Sequence, residues 1–437
     1  MKRSRLSDIC AFGIVALLAA PPAADAQSGG WGRFSLLMQS ARSQQDSGLA
    51  TNFSEVAASL TLHSPSRGEG GFEYAIDMRS AAYPGTERDN IFSVYDAYVG
   101  YQNAGGGLGV RVGQMWLNDL GGLGSLGGMQ VEYRQQQPWA AGRLRFGLFA
   151  GLEPNYFKAG YVDGIKKAGA YVAFDGNRGW KNVLGLVTVR QQNLTERQVV
   201  TMLNFIPAGT KFFLYQAAEY DLQGPGGQGQ GGLTYFFANV RYAPADVVEF
   251  QGTYHHGRSI DARTITNDVI TGRPVDPRLL DGLLLDSAGA RITVSVSRWV
   301  RVWGGVYSDR TNLEDKPATR INAGFSTTNI LGSGFDFTAS DFRTERTGNK
   351  YDSWYVSLGK SLGRSVYLSA DYTSSLSIVR LTDAGGITVE SRPSTKRYSL
   401  SSVINLSRVM SVLLTAERLD ELTASQTRAL LGLTFRF

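Results

Sequence analysis

The chain has 437 residues with a formal net charge of +6, and it contains 52 glycines, 21 Phe, 20 Tyr, 7 Trp and one cysteine. Hydrophobic residues make up 43%, yet the mean hydropathy is −0.16, and past the N-terminus no apolar run approaches the ~18 residues of a spanning helix, which excludes a helical membrane protein. The aromatic content excludes a disordered chain, the lone cysteine excludes a disulfide framework, and the dispersed positive charge implies no nucleic-acid partner.

Residues 1–26 read as a secretory signal peptide. Lys2, Arg3 and Arg5 form its basic start, Ile9 to Ala20 its short apolar stretch, and Ala24-Asp25-Ala26 its small-x-small cleavage site. Cys10 falls inside this segment, so the mature chain, 27–437, is expected to carry no cysteine. The first strand follows within about seven residues, which leaves no room for a plug domain or periplasmic modules ahead of it.

From residue 33 onward the dominant signal has period two. Phe72, Tyr74, Ile76 and Met78 alternate with Glu73, Ala75, Asp77 and Arg79; Leu144, Phe146, Leu148 and Ala150 alternate with Arg143, Arg145, Gly147 and Phe149. The stretches 365–373 and 397–407 repeat the pattern, so each segment has one apolar and one wet face. About 22 segments are predicted, starting near 33, 52, 71, 92, 107, 128, 142, 167, 181, 196 and 211, then 232, 247, 287, 300, 318, 334, 350, 364, 396, 409 and 425; 18 or 20 strands are the alternatives. Connections alternate short (102–106, 137–141, 175–180, 206–210, 243–246, 298–300, 361–363, 406–408) and long (82–90, 117–127, 152–166, 222–231, 257–286, 310–317, 379–395), with 63–70, 191–195 and 326–333 intermediate. A Greek-key sandwich has no reason to keep such a rhythm, whereas a membrane barrel does.

The chain ends on Ala429, Leu431, Leu433, Phe435 and Phe437 in alternation with Arg428, Leu430, Gly432, Thr434 and Arg436. This resembles the terminal-strand signal of bacterial outer-membrane β-barrel proteins. The resemblance implies an all-β, transmembrane, antiparallel up-and-down barrel in the outer membrane of a Gram-negative cell. It also implies outer-membrane lipid and the barrel-assembly machinery as partners, with Leu431, Leu433, Phe435 and Phe437 as the assembly signal and a homo-oligomer as one option. Tyr95, Tyr101, Tyr133, Phe236, Tyr242, Trp354 and Tyr372 lie on apolar faces near strand ends, where interfacial aromatic girdles sit.

Function is then expected in the lumen. Glu73, Asp77, Arg79, Asp96, Arg111, Gln130, Glu132, Arg134, Gln136, Arg143 and Arg145 fall on the wet face of neighbouring segments. Rows of Arg and carboxylate either set up a transverse field that selects polar solutes, with a slight anion preference, or pair to stabilise a hydrated wall. The stretch 118–128 is read as a flexible external loop, with an inward constriction as the alternative; its Gly122, Gly124 and Gly127 match a dinucleotide fingerprint without the required helix. The stretch 224–232 is read as a mobile loop. His255 and His256 precede the long insertion 257–286 with its Asp261, Arg263, Asp268, Asp276 and Asp281, and adjacent positions in a strand point opposite ways, against a shared metal. The pattern fits a porin-like channel for small polar or ionic solutes, without cofactor or metal. A structural, adhesin-type or assembly-partner barrel is the alternative, and an outer-membrane hydrolase has no recognisable Ser-His arrangement to support it.

Overall fold

A computed structural model describes residues 30–64, 70–103, 105–155, 157–382 and 388–437. The expected signal segment, with Cys10, lies outside them. One antiparallel sheet winds through the whole of this chain and closes on itself. Its first half comprises β1 (Trp31–Gln45), β2 (Ala50–His63), β3 (Gly71–Ala82), β4 (Ile91–Gln102), β5 (Gly107–Trp116), β6 (Ser125–Arg134), β7 (Gly142–Pro154), β8 (Tyr161–Gly176), β9 (Lys181–Gln191), β10 (Leu194–Ala208) and β11 (Phe212–Asp221). The second comprises β12 (Gly232–Ala245), β13 (Val248–Ser259), β14 (Leu283–Ser295), β15 (Val300–Thr311), β16 (Ala318–Thr327), β17 (Phe335–Arg346), β18 (Asn349–Leu362), β19 (Val366–Thr382), β20 (Ser394–Asn405), β21 (Met410–Glu421) and β22 (Ala424–Arg436). Thr388–Ser391 prolongs β20 along β19; Pro393, which has no N–H to give the ladder, separates the two pieces. Each strand pairs with its sequence neighbours, and β22 returns to β1 with Phe435 opposite Phe34 and Leu431 opposite Met38. The barrel therefore has 22 strands, as the period-two count predicts.

Closure satisfies every strand edge, which lets a sheet stand in lipid. Alternation does the rest. Phe72, Tyr101, Leu148 and Leu400 are about 60% exposed on the outer face, while Glu73, Ala75 and Glu132 on the inner face are under 5% exposed. The aromatics expected at the interfaces all lie on the outer face; Tyr101, Tyr133, Tyr242 and Trp354 are the most exposed of them. At the seam, Phe437 N–H donates to Gly32 O at 3.0 Å and Gly32 N–H donates back at 2.6 Å. Phe435 and Phe437 pack with Phe34, Leu36, Leu60 and Met78. A Cβ at Gly32 would stand 2.2 Å from the Phe437 ring, so the seam needs glycine there.

Strand starts differ from the predicted ones by six residues at most, at β8, where Gly160 and Gly164 disguise the strand beginning at Tyr161. Ser125 to Gly128, expected in a loop, open β6 instead. Glycine serves close packing there: a Cβ at Gly127 would meet the Tyr161 ring at 1.9 Å, and one at Gly128 the Ala150 carbonyl at 2.1 Å. The short/long rhythm holds only in part, because 46–49, 192–193, 347–348 and 422–423 are tight connections at the loop end.

The inner face of β9 departs from the wet pattern. Val183, Val187 and Val189 are buried inward while Leu184 and Leu186 are exposed outward, so this strand is apolar on both faces. An apolar inner face requires a covering element. That element is the connection between β5 and β6.

Candidate functional site

Asn118–Gly124 forms a short 3₁₀ segment that folds into the lumen and crosses to β9 and β10. The expectation of an external loop is thereby corrected. Its base is pinned by Leu117 N–H donating to Gly124 O at 2.9 Å, and by Trp116 N–H donating to Asp96 Oδ1 at 2.8 Å. Gly121 has φ +58°, and a Cβ on Gly124 would lie 2.1 Å from Leu117 O, so this hairpin needs its glycines. Leu120 and Leu123 are driven into a buried cluster with Met115, Leu126, Ile165, Val183, Val187, Val189 and Val199. Leu120 reaches β9 at Gly185, where a Cβ would stand 2.5 Å from Leu120 Cδ2. Apolar burial thus supplies the inward pull that a glycine-rich sequence conceals.

Ion pairs lock the segment to the wall. Asp119 receives Arg145 at 2.9 Å and also the Lys181 ammonium. Arg145 further binds Glu132 at 2.8 Å and Asp175 at 2.5 Å. Glu132 accepts from Arg134 at 2.7 Å and from the Tyr171 hydroxyl, and Gln130 donates to that same hydroxyl at 2.5 Å. Arg111 joins Gln130 at 3.2 Å to Glu73 at 2.5 Å. One polar sheet therefore runs from β3 to β9 along the inner wall. Removing one of its near-buried members, Glu73, Glu132 or Arg145, costs about 3–5 kcal/mol, because it strands a buried partner charge, whereas Lys181 and Asp175 remain partly exposed.

Of the residues expected in the lumen, Glu73, Arg111, Gln130, Glu132, Arg134 and Arg145 come together in this network. Asp77 and Asp96 sit side by side in the β3–β4 register, and Arg79 pairs separately with Glu55 at 3.0 Å. Arg143 lies in register with Asp175. Gln136 falls in the turn after β6 rather than on the wall. On this side of the barrel the charged side chains are paired with one another. Sequence reading misses Asp119, Tyr171, Asp175, Lys181 and Glu55. Tyr171 and Asp175 share the inward alternation of β8 and were legible in principle, whereas Asp119 depends on the loop's turning inward.

The long insertion folds over the loop-end mouth. It contains α1 (Ala262–Ile270) and α2 (Pro277–Asp281). Asp261 caps α1, accepting from the Thr264 N–H at 3.0 Å and hydroxyl at 2.7 Å, and these bonds hold its carboxyl below the usual range. Arg263 reaches down to Glu153 at 3.0 Å and Glu196 at 3.4 Å, and Glu153 also faces Lys167 at 3.7 Å. Ile265 and Thr266 are fully buried, and Pro225 and Gly226 are buried beneath α1. The stretch 224–232, expected to be mobile, is thus partly a packed seat for this helix. His256 faces outward and bonds Asp286 at 2.7 Å; His255 faces the lumen between Tyr235 and Phe237. No group of three metal-ligating side chains occurs among the described residues.

The opposite wall carries a wide basin near the turn end. It encloses about 670 Å³ and is lined by Lys211, Arg241, Asp246, Glu249, Arg291, Arg301 and Trp303. Arg241 pairs with Glu249 at 2.7 Å, and the Arg291 guanidinium lies 5.1 Å from the Trp303 ring centre. Four cations thus face two carboxylates in a space that admits water.

No family model and no curated protein matches the sequence. Among solved structures, the chain is similar to Pseudomonas aeruginosa OpdQ (TM-score 0.46, 9% identity, 93% of this chain and 98% of that one). It is also similar to Pseudomonas aeruginosa OpdL (TM-score 0.45, 9% identity, 94% and 99%) and to Acinetobacter baumannii OccAB4 (TM-score 0.43, 9% identity, 94% and 98%). The closed 22-strand wall, its apolar outer ladder and its inward loop stand on their own: the described residues form one antiparallel, up-and-down β-barrel with an apolar outer face.

Proposed function

We propose that the barrel is a passive channel for small polar and ionic solutes, with a mild preference for anions. The observation that carries this reading is the basin on the β11–β15 wall, a polar space of about 670 Å³ with more cations than carboxylates. The inward loop, bonded down by Asp119, occupies the lumen beside β9 and β10. A water-filled basin with an excess of fixed positive charge raises the local concentration of anions and so discriminates by sign.

The test is conductance of the purified, refolded barrel in a planar bilayer. Discrete open levels are expected, with a reversal potential in a salt gradient on the anion-selective side. Replacing Arg291 and Arg301 by Gln should shift that potential towards cation selectivity. A folded barrel that passes no current would overturn the proposal and favour a structural or adhesive role.

A further inference from the structure

We infer that the lumen carries a binding track for saccharides, built from aromatic rings on β10 to β13. This rests on the reading as a channel. Phe205, Phe213, Tyr215, Tyr235, Phe237 and His255 share the inward parity of Thr201, which stands beside Leu120 of the inward loop. Their rings form two groups of contacts on neighbouring strands: Phe205–Phe213 at 5.2 Å, and Tyr215–Phe237 at 5.9 Å with Phe237–His255 at 6.4 Å and His255–Tyr235 at 5.7 Å. Phe213 lies level with Arg241 and Tyr235 stands six residues further along the strand that carries Arg241, so the two groups together span about 20 Å of the wall.

Packing does not account for these rings. The buried cluster beneath the inward loop is made of other side chains and ends at Leu203. All six rings remain partly exposed, and Phe205 is 36% accessible. Apolar surface facing a polar lumen is unfavourable unless something covers it, and here six such surfaces share the inner face of four neighbouring strands. The wall beside them bears Asn239 and Thr253, level with Tyr215, and Gln251, level with Arg241. Apolar faces interleaved with amide and hydroxyl groups fit a pyranose ring, which has a C–H face and a rim of hydroxyls. A solute that is wholly aromatic would use the rings and leave the amides and hydroxyls idle.

The experiment adds the neutral trisaccharide maltotriose to the barrel reconstituted in a planar bilayer, with titration calorimetry on the same purified protein. Saturable, reversible interruptions of the current are expected, with heat of binding in calorimetry. In a Tyr215→Ala/Phe237→Ala variant the affinity should fall about tenfold or more, while ion conductance persists; Phe237→Tyr should retain binding. A conducting barrel with neither interruptions nor heat would overturn the track and leave the channel reading intact. Interruptions by benzoate but not by maltotriose would also overturn it, assigning the rings to aromatic solutes. A barrel without conductance would sink the channel reading, and calorimetry would still decide whether the saccharide binds.

Discussion

Detaching the inward loop should turn a steady channel into a fluctuating one. The perturbation is the double replacement Asp119→Asn/Leu120→Ala. Leu120 is 2% exposed, so its truncation should cost about 2–5 kcal/mol, at the upper end if the rigid Val183 and Val187 surface cannot collapse. Asp119 makes two charged contacts, each worth about 1.5–3 kcal/mol, but Arg145 keeps Glu132 and Asp175, which places the loss from Asp119→Asn near the lower figure. The residues are adjacent, so their sum of about 3.5–6.5 kcal/mol is an upper bound. At about 1.4 kcal/mol per decade, the docked-to-undocked ratio falls by up to some three to five orders of magnitude. Single-channel recording should then show transitions to a larger conductance level. A steady current equal to that of the wild type would refute the reasoning, since it would mean that neither the leucine nor the carboxylate holds the loop.

Gly32→Val should impair closure between β1 and β22, because its side chain collides with the Phe437 ring; the fraction of folded, heat-modifiable protein on gels should drop sharply. The depressed Asp261 carboxyl gives α1 a pH dependence. Its folded-state value lies below the unfolded one, so the unfolded segment binds more protons in acid. The stabilisation is full above the unfolded value of about 4 and is lost as pH falls through the folded one. The protection factors of amides 262–270, corrected for intrinsic exchange, should therefore fall at low pH, and Asp261→Ala should remove that dependence at a cost of about 1 kcal/mol. The chain offers a clean labelling test of orientation, because Cys10 lies in the expected signal. Thr271→Cys should react with an impermeant thiol reagent on intact cells, and Asp246→Cys should not; reaction at the second alone would invert the barrel.

Much of the barrel was legible because a strand's two faces are set by a local period. Phe72 against Glu73 and Leu148 against Arg145 already say which side meets lipid, and the count of such segments yields about 22 strands without any knowledge of their partners. The same logic placed Glu132 and Arg145 in the lumen. What it could not supply was their relation, since pairing depends on register across strands far apart in sequence.

The amino-acid sequence by itself determined the fold class, a strand count of about 22 and the outer face of the strands, all consequences of alternation within ten or so residues. Only the tertiary structure decided that Asn118–Gly124 turns inward, that Asp119 bonds β7 and β9, and that six rings from β10 to β13 share the inner face. Those features arise from closure of the sheet. A glycine-rich segment is locally indifferent to direction, and it is the apolar inner face of β9, brought opposite by the curvature of the wall, that makes the lumen its lowest free-energy position.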